Sequence, residues 1–153
     1  MLEIGSGTGE HAICFAKALP GLAWLPSDPD AASRASIEAW IAAERLANVR
    51  APGAIDVCQA VWGVEDDAPF GAMISLNMVH IAPWQAALGL LAGAGRLLRP
   101  DGILYFYGPF MSGFLRPLHV GWDTLSRVQR RLRRRPQEAR PALGHPRRRR
   151  PRR

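Results

Sequence analysis

The stretch that most constrains this chain is Leu2-Glu3-Ile4-Gly5-Ser6-Gly7-Thr8-Gly9-Glu10. Met1–Ile4 is apolar and reads as the last residues of a buried strand. Residues 10–19 (EHAICFAKAL) read as a helix, stopped by Pro20-Gly21. Between them Gly5, Gly7 and Gly9 must turn the backbone from strand to helix within a few residues. Glycine permits such a turn and lets a ligand lie close to the backbone. The N-terminus of the following helix offers N–H groups to a carboxylate or phosphate.

The same alternation continues downstream. Leu22–Leu25 is a short apolar strand ending in Ser27-Asp28-Pro29-Asp30. Residues 31–47 form an Ala-rich helix with Ile37, Trp40, Ile41 and Leu46 on one face. A third strand is expected at 54–57 (AIDV) and a fourth within Ala68–Leu76. Pro83–Leu98 is a helix, and Pro100-Asp101-Gly102 turns into a fifth strand at 103–108. This order predicts an α/β fold with a doubly wound parallel sheet. The strands are continuously apolar, as expected where helices cover both faces.

Three glycine-loop chemistries compete at 5–9. A P-loop ends in Gly-Lys-Ser/Thr, which this loop lacks. A dinucleotide fingerprint puts glycine three residues after Gly7, where Glu10 stands. What remains is acid-x-Gly-x-Gly-x-Gly, the pattern of S-adenosylmethionine binding. A plain glycine turn satisfies the same residues and stays open.

Later strand ends supply further candidates. A carboxylate at Asp28 can accept both ribose hydroxyls, although Ser-Asp-Pro-Asp is equally good turn chemistry. Asp30 suits the N-cap of the next helix. Asp56 could accept from an adenine amino group, or be an exposed strand-end acid. At the end of the fourth strand, Asn77 can donate or accept near a transferred group, and His80 is either a general base or a structural histidine.

Together these residues resemble class I S-adenosylmethionine-dependent methyltransferases. More narrowly they resemble the methyltransferase-like domain-of-unknown-function family 938. The matching stretches are LEIGSGTGEHA (2–12), LPSDPD (25–30), ASIEAW (35–40), IDV (55–57), NMVHIAPW (77–84) and GRLLRPDGILYFYGPF (95–110). The resemblance implies a Rossmann-like sheet with about five of the family's seven strands. It implies that Glu3, Gly5, Ser6, Gly7 and Gly9 hold the methionine part of S-adenosyl-L-methionine. Asp28 would hold the ribose, and Asp56 with Val57 the adenine. Asn77 and His80 would face the transferred methyl as the catalytic candidates. The acceptor is expected to be a small molecule, and the oligomeric state stays open.

Charge divides the chain. Residues 1–110 carry six basic and eleven acidic side chains, net −5, whereas 111–153 carry fourteen Arg and two acids, net +12. The first part is therefore expected to be the cofactor-binding domain and the second a low-complexity tail. Residues 129–150 can be back-translated so that the same bases, read one position on, give a family-like peptide. The tail is thus expected to be an out-of-frame translation. The family's chains also begin upstream of the glycine loop, so a truncated and impaired enzyme is expected. The rival readings are a nucleic-acid binder acting through the tail, with little more than non-specific affinity, and a non-catalytic α/β fragment.

No apolar run approaches the ~18–20 residues of a membrane span, and no basic start precedes an apolar stretch. Cys14 and Cys58 lie 44 residues apart without Cys-x-x-Cys or Cys/His spacing, so no metal site and a reducing, cytoplasmic setting are expected.

Overall fold

The structure, a computed structural model, describes residues 1–108. The basic tail at 111–153 lies outside the described residues. In chain order the elements are β1 (Leu2–Glu3), α1 (Glu10–Ala18), α2 (Ala31–Glu44), a 3-10 turn (Glu65–Asp67), β2 (Phe70–Leu76), α3 (Trp84–Leu97) and β3 (Leu98–Tyr107).

β1 pairs parallel to β2, and β2 parallel to β3, with Leu2 opposite Met73 and Met73 opposite Leu104. Single parallel bridges extend the sheet beyond β1: Leu25 meets Leu2, Val49 meets Trp24, and Gly53 meets Ser27. Across the sheet these segments run third, second, first, fourth, fifth in chain order. The direction of winding reverses between β1 and β2, and open α/β sheets bind ligands at the carboxyl ends of strands at such a point. The described residues form the expected incomplete doubly wound α/β sheet.

Several local expectations are corrected. The second strand, expected at Leu22–Leu25, is reduced to bridges at Trp24, Leu25 and Ser27. Pro26 lacks an N–H and breaks any longer ladder there. The third segment pairs at Val49 and Gly53, upstream of the expected 54–57. Ile55 and Val57 are buried without laddering, because the Asp56 carboxylate turns the chain by accepting from the Cys58 N–H. The second helix ends at Glu44, where Arg45 takes a left-handed conformation (φ 52). Trp40 is exposed rather than sharing the buried face of Ile37. The turn expected at 100–102 is an irregularity inside β3, which starts at Leu98 and shifts register between Phe70 and Ala72.

The two sheet faces are covered unequally. Met73, Leu90, Ala94 and Leu104 form one buried cluster beneath α3. Truncating one such Leu to Ala costs about 2–5 kcal/mol. On the other face, Ala12 and Ala16 of α1 pack with Trp24 and Ile74. That cover stops short of β3, whose burial alternates: Leu104 is buried while Ile103, Tyr105 and Tyr107 are exposed. The expectation of strands covered on both faces fails here, because no described helix reaches the outer side of β3. No helix among the described residues is long and apolar enough to cross a membrane.

Candidate active site

A cleft of about 490 Å³ opens at the reversal point between β1 and β2. One wall is the glycine loop with Asp28 and Pro29, and the other is the segment Leu76–Ala82 after β2. Glu10 and His11, in the first turn of α1, also line the cleft.

The loop is held from three sides. Gly5, Gly7 and Gly9 all have positive φ (69°, 55° and 94°). A Cβ on Gly5 would stand 2.9 Å from Met78 Cγ, and one on Gly9 2.8 Å from Ile37 Cγ1. At Gly7 the same atom would meet nothing within 4 Å, so this glycine faces the open cleft. Ser6 N–H donates to the Ser27 carbonyl (2.8 Å), and Ser6 Oγ accepts from Ser27 N–H (3.1 Å). Ser36 Oγ, on α2, donates to the Thr8 carbonyl at 2.9 Å.

Asp28 joins the two ends of the site. Its Oδ2 accepts from Gly7 N–H and its Oδ1 from Asp30 N–H, both at 2.9 Å. Each oxygen keeps a further lone pair beyond these bonds. Asp30 caps α2 through Ser33 N–H, as expected, and that bond holds its carboxyl below the ordinary range.

Across the cleft, Asn77 ends β2 with φ 58, and its N–H donates to the Tyr107 carbonyl at 2.7 Å. Asn tolerates this left-handed conformation better than most residues. The bend places Asn77 and Met78 opposite the glycine loop.

Of the residues expected from the sequence, Gly5, Ser6, Gly7, Asp28 and Asn77 line this cleft, and Gly9 shapes the loop from behind. The others are placed elsewhere. Glu3 is buried behind the loop, and its Oε2 accepts from the Trp24 indole N–H at 2.7 Å. Desolvation pushes its carboxyl above the ordinary range, while the Trp24 bond, the His11 field and the Ser6 hydroxyl oppose the rise. Asp56 does not line the cleft. It is spent on Cys58 N–H (2.9 Å) and Gln59 Nε2 (3.3 Å), which hold it below the ordinary carboxylate range. Val57 packs on α3: a Cβ on Gly89 would stand 2.0 Å from its carbonyl oxygen. His80 is also outside the lining, because its ring lies against Gly108 at the end of β3.

Sequence reasoning passed over Glu10, His11, Met78 and Ile81, all of which line the cleft. The signal for the first two was their place directly after the last loop glycine, in the helix turn that faces any ligand on the loop. His11 stacks on Phe15 (centroids 6.2 Å apart), and Phe15 stacks on Trp24 (5.8 Å), which in turn bonds Glu3.

A family model described as "Protein of unknown function (DUF938)" matches residues 1–117. A tRNA (guanine-N(7)-)-methyltransferase of Rhodopseudomonas palustris is 32% identical over 83 residues, 54% of this chain and 29% of that protein. PKMT2 from Rickettsia typhi, solved in complex with AdoHcy, superposes with TM-score 0.59 at 21% identity, over 69% of this chain and 19% of that one. The S-adenosylmethionine-dependent methyltransferase SibL superposes with TM-score 0.63 at 22% identity, over 81% of this chain and 35% of that one. The chain thus spans well under half the length of each of these relatives. The structural likenesses establish the fold.

Proposed function

The chain belongs to the DUF938 family, and from that premise we propose that it is built as a class I S-adenosylmethionine-dependent methyltransferase. The observation that carries the proposal is the Gly5–Gly9 loop and Asp28 facing Asn77 across one cleft at the reversal point of the sheet.

The residues present fit the cofactor. At Gly7 a side chain would project into open space, so the loop backbone can be approached closely. The first turn of α1 begins at Gly9 with no side-chain cap, leaving its N–H groups to a carboxylate such as that of a methionine moiety. Asp28 keeps lone pairs for ribose hydroxyls while its existing bonds fix its position. When bound, S-adenosylmethionine supplies an electrophilic methyl on a sulfonium sulfur. The chain's own task is to hold donor and acceptor in line and to exclude water, which requires little acid-base machinery. Asn77, fixed by its bond to Tyr107, stands on the far wall, where it can orient an acceptor.

Turnover by this chain is expected to be weak, because no described helix covers the outer face of β3 and the cleft is open along Ile81. The test is photocrosslinking of methyl-labelled S-adenosylmethionine to the full chain. Labelling competed by S-adenosylhomocysteine and not by ATP supports the proposal. Labelling that ATP competes equally, or none, contradicts it and favours a non-catalytic α/β fragment.

A further inference from the structure

Beyond Asn77, the wall opposite the glycine loop is apolar. Ile81 lines the cleft and is 78% exposed, and Trp84, at the start of α3, is 71% exposed. Met78 and Ala82, half-buried against the core, line the cleft beside Ile81. Apolar surface grouped at the mouth of a cleft marks a binding face rather than a packing need.

The ionisable groups lining the same cleft are Glu10, His11 and Asp28, and neither Lys nor Arg lines it. Of the six basic side chains among the described residues, Arg45 stands at the far end of α2, and the other five have protein partners. Lys17 pairs with Glu44, Arg50 with Asp67, and Arg99 with Asp101. Arg34 donates to the Asp28 and Pro29 carbonyls, and Arg96 to the Ala60 carbonyl. A nucleic acid would bring phosphates to two carboxylates in a lining that, among the described residues, includes no Lys or Arg, whereas such ligands are held by Lys and Arg contacts.

We propose that the methyl acceptor is a small apolar amine, its hydrocarbon or aromatic body on Met78 and Ile81 and its nitrogen toward Glu10. The proposal rests on the methyltransferase reading and names the substrate class for that site. The ammonium loses one proton to solvent, which reaches the nitrogen through the open mouth. The freed lone pair forms the new N–C bond to the methyl as the C–S bond breaks, leaving its electron pair on a neutral thioether sulfur. Glu10 favours the approach of the cation and the charge that grows on nitrogen during attack.

The test uses the full chain saturated with S-adenosylhomocysteine and three indoles differing only in charge: tryptamine, tryptophol and indole-3-acetate. Calorimetry is expected to rank tryptamine tightest, about fivefold over tryptophol, the size of one exposed ion pair. Glu10→Gln should abolish that preference, and Ile81→Ser should weaken both tryptamine and tryptophol. Equal binding of the three indoles, tightest binding of indole-3-acetate, no binding of any, or a tryptamine preference unchanged in Glu10→Gln overturns the proposal. So does transfer of labelled methyl to bulk tRNA. Failure to bind S-adenosylhomocysteine defeats the methyltransferase reading itself, whereas its binding without discrimination among the indoles defeats this inference alone.

Discussion

The Asp28 carboxylate accepts the Gly7 backbone N–H at 2.9 Å, tying the end of the second sheet segment to the loop that follows the first. The same group accepts Asp30 N–H, so one side chain positions both the loop and the start of α2. Neither bond is fully buried, so each is worth about 0.5–1.5 kcal/mol, the ordinary net figure. Asp28→Ala is expected to lower unfolding free energy by about 1–3 kcal/mol in urea titration. Asp28→Asn should recover part of the loss, because its single amide oxygen can still accept one of the two N–H groups.

The loop glycines should differ in cost. Gly9→Ala combines φ 94 with a Cβ 2.8 Å from Ile37 Cγ1, so Ile37 must move. A destabilisation of about 2–4 kcal/mol is expected, left-handed strain adding to overpacking. Gly7→Ala has φ 55 and no neighbour within 4 Å, so only the strain applies, about 1–2 kcal/mol. Thermal melts of the two variants check the order, Gly9→Ala unfolding first.

Asn77 offers a parallel test on the opposite wall. Its φ of 58 suits Asn or Gly and penalises β-branched residues. Asn77→Gly should keep its stability within about 1 kcal/mol. Asn77→Val should lose about 2 kcal/mol or more in the same urea titration.

Glu3 gives a pH dependence of unusual sign for a carboxylate. Burial raises it above 4.5, its ordinary value, to which it returns on unfolding. Over the window starting at 4.5 the folded chain keeps a proton that the unfolded chain has released. Stability therefore falls as pH rises through that window, and levels off once folded Glu3 has also ionised. Asp30 and Asp56, held low, act oppositely and lose their contribution as pH falls below 3.8. Glu3→Gln keeps an oxygen for the Trp24 indole and cannot ionise. Its melting temperature should therefore lack the decline above 4.5 shown by the unmodified chain.

The parts of the site legible in the sequence are those where residue type alone fixes the backbone. Gly5, Gly7 and Gly9 could only be a strand-to-helix turn, and Asp30 was an N-cap by its chemistry. Asp28 followed from its place at the end of a short apolar segment. Asp56 could not be placed the same way. Its role depended on where the third segment paired, and that pairing settled at Val49 and Gly53, leaving Asp56 to close a turn. The placement of Glu3 and His80 was not legible for a related reason. Alternation along β1 sets the face Glu3 takes and the turn after β2 sets His80, and the two meet protein neighbours, Trp24 and Gly108. The bare side of β3 was hidden too, since an apolar run reads alike whether one face or two are covered.

The account turns on whether the cleft holds the cofactor, and calorimetric titration of the full chain with S-adenosylhomocysteine tests this most directly. Saturable binding of one equivalent is predicted, weakened about tenfold or more in Asp28→Ala through loss of a charged hydrogen-bond acceptor. No saturable binding by a chain whose circular dichroism shows it folded, or binding that Asp28→Ala leaves unchanged, would contradict it.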